Sequence, residues 1–310
     1  MSSITEGMKY RERVVKYAIK VDNNALAARK YHTSRQNVQR WRKRYDGTTE
    51  SLRKKSTRPN SHPNQHTQAE LDLIKHNYRY HRHRGLAHVY RKCKDKGYTR
   101  SYDSMCRQIR KMSLNPPAKK NIRYKKKKEK PNYSYPGELV QIDVKYVPVH
   151  SIGFVSHHKR YYQITAIDAY SRTRVLDLMN ENSTYTTSEF LVGLEKRMGF
   201  KIDKIQTDNG KEFTNDPYKT DEKSRFQTVL EFLRIDYRRT APYSPWQNGL
   251  VERSHREDEE RFYSKRRFTS EEELKKALAR HNTVYNHTYR KILDFKSPHE
   301  IVNDFFAKVA

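Results

Sequence analysis

The stretch Glu138-Leu-Val-Gln-Ile-Asp-Val-Lys-Tyr-Val147 decides the fold of the larger part of this chain. Val140, Ile142 and Val144 alternate with polar residues, and this period of two predicts a β-strand with one apolar face. Asp143 lies midway along the strand, on the face opposite the valines. Because aspartate is disfavoured inside strands, we interpret Asp143 as a functional residue.

Strands and helices alternate after this first strand. The next two predicted strands follow at once and are joined by a short turn, so three consecutive strands form a meander. A helix then begins at Ser244, with serine as its N-cap and proline at its first position. The predicted elements are strands over 160–168, 173–178, 204–207 and 235–238, and helices over 184–200, 224–233 and from 244 onward.

Two more carboxylates join Asp143 as candidate catalytic residues. Asp208 lies in Thr207-Asp-Asn-Gly-Lys-Glu-Phe213, and Glu252 lies in Ser244-Pro-Trp-Gln-Asn-Gly-Leu-Val-Glu-Arg253. Cutting or joining a DNA backbone uses two divalent cations about 4 Å apart. Such cations prefer oxygen ligands, usually carboxylates completed by phosphate and water. The three acids therefore predict a site for two Mg²⁺ ions, or Mn²⁺ in their place, that acts on phosphodiesters.

Two other acids near these segments have alternative interpretations. Glu212, four residues after Asp208, could also be a metal ligand. Asp168 ends a predicted strand, but the following Ala-Tyr-Ser-Arg is typical of a turn, so we interpret Asp168 as structural.

The positive charge of the chain is concentrated in its first part. The 310 residues carry a formal charge of +29. Residues 1–136 contain 36 basic and 10 acidic side chains, whereas the remaining 174 residues contain 29 and 26. A polyanionic partner held by the first part explains this distribution, because Lys and Arg that neutralise DNA phosphates release condensed counterions.

Residues 10–46 are predicted to form three short helices, which is typical of a helix-turn-helix. Ser34 is the predicted N-cap of the third helix, and Val38 and Trp41 face the core. The polar and basic side chains on its other face can hydrogen-bond base edges in the major groove. A plain helical bundle with a solvated charged face is the alternative. The predicted DNA-binding residues of this region are Arg35, Gln36, Asn37, Gln39, Arg40 and Arg44.

A second helix-turn-helix is predicted over residues 67–112, where Thr67-Gln-Ala-Glu70 resembles a capping box. Basic linkers precede and follow it, and such segments contact phosphates without reading sequence. The third predicted helix of the later part adds Asn248 and Arg256 along the face of Glu252, with Arg253 beside them. The further predicted DNA-binding residues are Arg53, Lys54, Lys55, Arg58, Lys125, Lys126, Lys127, Lys128, Asn248, Arg253 and Arg256.

Cys93 and Cys106 are too few for a disulfide framework and indicate a reducing compartment. A zinc site formed by the two cysteines with His62 and His66 is disfavoured. Cys93 and Cys106 are 13 positions apart, whereas structural zinc sites usually pair their ligands at short spacing. We interpret both cysteines as core residues of two helices. No apolar run approaches the roughly 20 residues of a membrane span, and the first residues do not resemble a signal peptide. We expect a cytoplasmic, nucleoid-associated protein of a bacterial host.

The three acidic motifs in this order resemble those of the DDE superfamily of insertion-sequence transposases and retroviral-type integrases. The resemblance rests on Thr207–Phe213, on Ala241–Arg253, and on the closing Tyr285-Asn-His-Thr-Tyr-Arg290 with Ser297-Pro-His-Glu-Ile301, and it covers about 137–305. It implies an RNase H-like core that holds Asp143 on the first strand, Asp208 after the fourth and Glu252 on a helix.

The chain departs from that family in two places. Asp208 and Glu252 are separated by 43 residues, more than in many relatives, and we assign the excess to a polar surface loop over 215–224. Glu259 stands where integrases often place a DNA-contacting lysine, and Arg253 and Arg256 are the candidates for that role.

The predicted fold is multidomain: all-α helix-turn-helix domains followed by an α/β RNase H-like core with a mixed five-stranded sheet. The predicted function is a transposase that binds the terminal inverted repeats of a mobile element, exposes 3′-hydroxyl ends and joins them to target DNA as a dimer or higher oligomer. A domesticated DNA-binding regulator and an RNase H-like nuclease are the alternatives. The expected domains are 1–47, a linker over 48–66, 67–113, a linker over 114–136, 137–270, and a C-terminal helical segment over 271–310.

Overall fold

The computed structural model describes residues 4–56, 59, 62–115, 132–155, 160–215, 222–241 and 244–309. The chain divides into two compact units, Met1–Gln65 and His66–Ala310. Within the described ranges, every helix is too short or too polar to cross a membrane.

The first unit is a three-helix domain. Its helices are α1 (Glu6–Lys20), α2 (Asn24–Lys30) and α3 (Arg35–Arg44). The Ser34 hydroxyl accepts a hydrogen bond of 3.1 Å from the Asn37 N–H, so the predicted N-cap of α3 is confirmed. Val38 is fully buried against α1 and α2, and Trp41 packs beside it. This arrangement confirms the predicted helix-turn-helix.

The second unit begins with three more helices, α4 (Gln68–His81), α5 (Leu86–Lys94) and α6 (Tyr102–Lys111). Thr67 and Glu70 form the predicted capping box at the start of α4. Cys93 on α5 is fully buried, and Cys106 on α6 packs against the same apolar cluster. The interpretation of both cysteines as core residues is therefore confirmed.

A five-stranded mixed sheet is the centre of the second unit. Its strands are β1 (Val140–Tyr146), β2 (Tyr162–Asp168), β3 (Arg174–Met179), β4 (Lys204–Thr207) and β5 (Asp236–Arg239). Their order is β3-β2-β1-β4-β5, with antiparallel pairing from β3 to β1 and parallel pairing from β1 to β5. This is an RNase H-like sheet, and the predicted fold class is confirmed.

The helices after β3 cover both faces of the sheet. They are α7 (Thr184–Leu191), α8 (Leu194–Met198), α9 (Arg225–Phe232), α10 (Gly249–Arg261), α11 (Glu271–Asn286) and α12 (Pro298–Val309). Side chains of α7, α8 and α9 pack with Val140 and Ile142 in the larger apolar cluster. Side chains of α11, together with Phe262 and Tyr263 just after α10, pack with Leu176 of β3 on the other side. Gln141 and Asp143 lie on the opposite face of β1 from Val140 and therefore face α10.

Two predicted helices have different limits in the structure. The single helix expected over 184–200 is two helices, because Gly193 adopts a left-handed conformation with φ of 80° between them. The helix expected from Ser244 starts as a 3-10 turn, Pro245–Asn248, and α10 begins only at Gly249. Asn248 is therefore not on the α-helical face of Glu252. Most of the predicted loop over 215–224 lies outside the described residues.

Asp168 has the structural role that the sequence predicts. Its fully buried carboxylate accepts hydrogen bonds from the Gly137 N–H at 2.9 Å and from the N–H and hydroxyl of Ser171, both at 2.6 Å. Gly137 has φ of 92°, and a Cβ there would lie 1.9 Å from the Lys201 carbonyl oxygen. These contacts fix the turn after β2 and the entry into β1.

Candidate active site

The register of the sheet brings Asp143 and Asp208 together. β1 and β4 run parallel, with Gln141 opposite Gln206. Each aspartate lies two residues beyond its glutamine, so both project from the same face at neighbouring positions of the sheet. Asp208 follows the last residue of β4 directly, where the backbone is free to turn away.

Glutamines of both strands hold the start of α10. The Gln247 carbonyl oxygen accepts a hydrogen bond of 2.7 Å from the Gln141 side chain and one of 2.8 Å from the Gln206 side chain. The Gln141 side-chain oxygen accepts the Leu250 N–H at 3.1 Å, and the Asn248 amide donates to the Ile142 carbonyl at 3.2 Å. We name these contacts the glutamine clamp.

The glutamine clamp determines where Glu252 lies. Glu252 is in the first turn of α10, directly after the clamped residues. It therefore lies near the face of the sheet from which the two aspartates project. Polar residues of a buried strand face are normally hydrogen-bonded. Here Gln141 and Gln206, both almost fully buried, find their partner in the backbone that precedes Glu252.

Electrostatics shows that these carboxylates affect one another. Burial raises the pKa of Asp208, and the negative charge of Asp143 raises it further. Partial burial and the charges of Asp143 and Asp208 also raise the pKa of Glu252, against the opposing charges of His255 and Arg256. Like charges shift a pKa this way only when they lie near each other. The three acids therefore form one cluster of negative charge that is not fully compensated by protein cations.

Each of the two aspartates also has contacts of its own. The Asp143 carboxylate accepts the Val144 N–H at 2.9 Å and lies 3.4 Å from His255 Nδ1. Asp208 accepts the Gly210 N–H at 3.0 Å. Within the described ranges, no three His, Cys, Asp or Glu side chains are drawn into a group that could hold a metal ion as they stand. The donor set suits Mg²⁺ in its chemistry, since all three ligands are carboxylates.

Glu212 is a fourth acid near Asp143 and Asp208. Burial and then the charges of Asp208 and Asp143 raise the pKa of Glu212. The chain folds back tightly here, since a Cβ on Gly210 would lie 2.6 Å from Glu212 Cδ. The structure thus places the alternative ligand of the sequence analysis beside the three acids.

The other end of α10 carries a compensated acid. Asp258 is fully buried and lies 2.7 Å from the guanidinium of Arg174, which is equally buried. His281 lies 2.7 Å from the same carboxylate, and Gln163 donates to it at 2.9 Å. Burial by itself raises the pKa of Asp258, but Arg174 and His281 together bring it well below its usual range.

The predicted DNA-binding residues of the first unit fall into two groups. Arg35, Gln36, Gln39 and Arg40 are exposed on α3, as are Lys54 and Lys55 beyond it, while Asn37 is half-buried. Arg44 instead donates to the Arg53 carbonyl at 2.6 Å, and Arg53 pairs with Glu50. Arg58 and Lys125, Lys126, Lys127 and Lys128 lie outside the described residues.

On α10 and its approach the three predicted DNA contacts also differ. Arg256 is exposed, and Arg253 is exposed and lies 3.6 Å from Glu257. Asn248 is only 3% exposed and belongs to the glutamine clamp. Glu259, at the position where integrases often have a lysine, pairs with Lys145 at 3.3 Å.

The sequence did not lead us to predict a functional role for Gln141, Gln206 and Gln247. A signal was present, because each aspartate of the parallel strands is preceded two residues earlier by a glutamine. Glutamine at that position lies on the buried side that faces α10, where it needs a partner.

Family models give an independent assignment of these regions. Two models of the integrase core domain match the chain, over residues 134–245 and 233–291, and a helix-turn-helix domain model matches residues 11–60. The chain thus combines a helix-turn-helix DNA-binding domain with a core of the polynucleotidyl transferase type. These matches support an integrase or transposase of the DDE superfamily, whose members typically use divalent metal ions.

A curated relative is a putative integrase, ORF3, of Spiroplasma virus SpV1-C74. It is 30% identical over 182 residues, which cover 53% of this chain and 47% of that protein. The chain spans about half the length of this relative.

Two solved structures are similar to the chain. The catalytic core domain of BIV integrase has 21% identity and a TM-score of 0.40, over 56% of this chain and 97% of that one. A simian T-cell lymphotropic virus intasome in complex with the PP2A regulatory subunit B56 gamma has 18% identity and a TM-score of 0.43, over 74% of this chain and 73% of that one.

Proposed function

We propose that this protein is a DNA transposase. It binds the terminal inverted repeats of a mobile element, cleaves the DNA to expose 3′-hydroxyl ends, and joins these ends to target DNA. The observation that carries the proposal is the group of Asp143, Asp208 and Glu252, whose negative charges are only partly offset, within an integrase core.

Asp143, Asp208 and Glu252 are the proposed ligands of two Mg²⁺ ions, or of Mn²⁺, in each active site. Bound cations would activate the attacking oxygen and stabilise the leaving oxygen of the phosphodiester. The three carboxylates would hold these ions beside β1 and β4. The glutamine clamp keeps the first turn of α10 close enough to the sheet for Glu252 to act as a ligand.

The proposed reaction is a hydrolysis followed by a transesterification, both at phosphorus. In the first step water attacks the phosphodiester at an element end, one P–O bond forms, the bond to the 3′-oxygen breaks, and this oxygen takes up a proton in place of the one that the water loses. In the second step the freed 3′-hydroxyl attacks a target phosphodiester, and the displaced target 3′-oxygen takes up a proton. Neither step needs a covalent bond between protein and DNA, so the 23 tyrosines of the chain have no nucleophilic role.

The basic first part of the chain supplies DNA binding in this proposal. The exposed side chains of α3 read base edges, and the basic linkers neutralise phosphates. We propose the domain limits given above for these parts: 1–47, 48–66, 67–113, 114–136, 137–270 and 271–310. Two ends must be held together for joining, so we propose a dimer or higher oligomer that acts on the nucleoid of a bacterial host.

A strand-transfer assay tests the proposal. Duplex oligonucleotides with the inverted repeats that flank the gene would be incubated with the full chain, a target plasmid and Mg²⁺. We expect joined products with the wild type and none with Asp143→Asn, while both bind the duplex equally. Asp236→Asn, which makes the same chemical change on an exposed residue of β5, should join as the wild type does.

The outcomes separate the alternatives. Joining by Asp143→Asn would contradict the assignment of the three acids. Cleavage by the wild type without joining would indicate a nuclease, and DNA binding without cleavage would indicate a regulator.

A further inference from the structure

A basic cavity lies in the second unit, away from the three acids. Its volume is about 430 Å³. It is lined by the end of α10, by α11, by Arg290 and by the turn between α4 and α5 that carries His83 and Arg84. We name it the α10–α11 cavity. Its cationic side chains are Arg84, Arg261, Lys265, Arg266, Arg280 and Arg290.

The cations of the α10–α11 cavity exceed its acids. Of the described residues that line it, Glu257 and Asp258 carry negative charge. Asp258 is neutralised by Arg174 at 2.7 Å. Glu257 is shared among Arg253 at 3.6 Å, Arg290 at 3.7 Å and Arg261 at 4.0 Å. The wall therefore keeps a large positive excess, which favours a ligand with several negative charges.

Two guanidinium groups of the wall have donors without partners. Arg84 Nε and Arg290 Nε are buried and make no hydrogen bond within the described part of the chain. Buried donors are normally satisfied, and arginine recognises phosphate oxygens with pairs of such N–H groups. Burial and then the charges of Arg84, Arg261 and Lys265 lower the pKa of His83, which agrees with a positive potential here.

The form of the α10–α11 cavity favours a chain of phosphates over a single small anion. Arg261, Lys265, Arg266 and Arg280 are exposed at its rim, whereas Arg84 and Arg290 are partly buried. A polymer that crosses the rim can contact both groups. The cavity is also within the size range of about 300–1,000 Å³ that is usual for ligand pockets and much larger than one phosphate.

We propose that the α10–α11 cavity binds backbone phosphates of the DNA on which the protein acts. The proposal rests on the proposed function and adds a contact site to it. Arg261 follows Glu252 by nine residues, about 13.5 Å along a helix. A DNA backbone that runs along α10, at about 3.4 Å per base step, would place these phosphates roughly four nucleotides from the phosphodiester at the three acids. The site also ties the turn after α4 to the catalytic helix through the same DNA.

The salt dependence of DNA binding tests this site. The affinity of the full chain for a fluorescent duplex that carries the flanking inverted repeat would be measured between 50 and 200 mM NaCl. Each phosphate contact contributes about 0.9 to the slope of log affinity against log salt. Arg84→Gln with Arg290→Gln should lower the slope by about 1.8, so that the wild type loses roughly tenfold more affinity over this range.

Two further variants serve as checks on this measurement. Lys265→Gln with Arg280→Gln removes two exposed rim cations and should lower the slope in the same way without a change in melting temperature. Lys196→Gln with Lys201→Gln removes the same charge from exposed residues outside the cavity lining, and it should keep the wild-type slope.

Distinct outcomes overturn the two proposals. If both cavity variants keep the wild-type slope while the wild type binds and joins DNA, the phosphate site is wrong and the transposase assignment stands. Stabilisation of the wild type by pyrophosphate, together with unchanged slopes, would assign the cavity to a small anion and also overturn it. A wild type that neither binds nor joins these duplexes would contradict the proposed function itself.

Discussion

Glu252 and Asp258 lie less than two turns apart on α10, and their surroundings have opposite effects on them. The pKa of Glu252 is raised by burial and by the charges of Asp143 and Asp208. The pKa of Asp258 is lowered, because Arg174 and His281 outweigh the effect of burial. Glu252 belongs to a group of acids whose charges are only partly offset by His255 and Arg256, whereas Asp258 is fully paired.

The difference separates a structural acid from a candidate catalytic one. A buried carboxylate with an arginine, a histidine and a glutamine around it is complete without any ligand. Asp208 and Glu252, whose pKa values are raised by burial and by neighbouring carboxylates, are stabilised by protonation or by bound cations. The same helix therefore carries a fully paired structural acid near one end and a candidate metal-binding acid near the other.

Removal of the paired acid should have the largest effect on stability. Asp258→Asn leaves the fully buried Arg174 without its counter-charge, and breaking such a pair costs about 3–5 kcal/mol. Urea unfolding of the second unit would measure the loss. Glu260→Gln, an exposed residue two positions later on α10, should change the free energy of unfolding by less than about 0.5 kcal/mol. Equal stability of Asp258→Asn and the wild type would contradict the structural role of this acid.

Changes in the glutamine clamp should affect the turnover of strand transfer more than DNA binding. Gln206→Met removes one hydrogen bond to the Gln247 carbonyl and allows α10 to shift relative to the two aspartates. A misplacement of about 1 Å can lower a rate about 100-fold. We expect a lower rate of joining at saturating DNA and an unchanged dissociation constant.

Gln206→Glu tests whether geometry is the cause of that loss. It keeps the length of the side chain and, when protonated, its ability to donate to the Gln247 carbonyl, so joining should recover in part at lower pH. A uniform loss of DNA affinity in the Gln206 variants would instead indicate general disruption of the fold.

Asp258 and Asp208 should respond to pH in opposite directions. Because the folded pKa of Asp258 is depressed, its contribution to stability is present above the unfolded value, near 3.9, and is lost as the pH falls through the folded value. Because the folded pKa of Asp208 is raised, its charged form destabilises the fold at neutral pH, and acidification relieves this cost.

Urea unfolding at a series of pH values, without divalent metal, would measure both effects. The deficit of Asp258→Asn should shrink below about pH 4, and any gain of Asp208→Asn should vanish as the pH falls toward 4. Parallel pH profiles for the two variants would contradict the distinction between the two acids.

The group of three acids and the paired Asp258 could not be predicted equally well from the sequence. Asp143 could be predicted from its strand alone, because the alternation of Val140, Ile142 and Val144 placed it on the polar face. Asp208 and Glu252 depended on the order of the three motifs. The structure adds the register of β1 against β4, which no local pattern contains because it joins segments some 65 residues apart.

The paired acid was not predicted at all. Asp258 stands in the run Arg256-Glu-Asp-Glu-Glu-Arg261, which is indistinguishable in sequence from a solvated helix surface. Its partners Arg174 and His281 come from β3 and α11, so only tertiary packing identifies the pair. The limits of α10 were missed for a related reason, since the 3-10 turn before Gly249 is fixed by the glutamine clamp.

The response of Asp208→Asn to divalent metal is the most direct test of the proposal that the three acids bind metal ions. Free energies of unfolding would be measured for the wild type and for this variant, with a chelator and with millimolar Mn²⁺. We expect the variant to be at least as stable as the wild type without metal. With Mn²⁺ at about 100 times its dissociation constant, the wild type alone should gain about 2.7 kcal/mol. A variant that is less stable without metal, or that gains as much from Mn²⁺ as the wild type, would contradict the claim that these acids form the metal site.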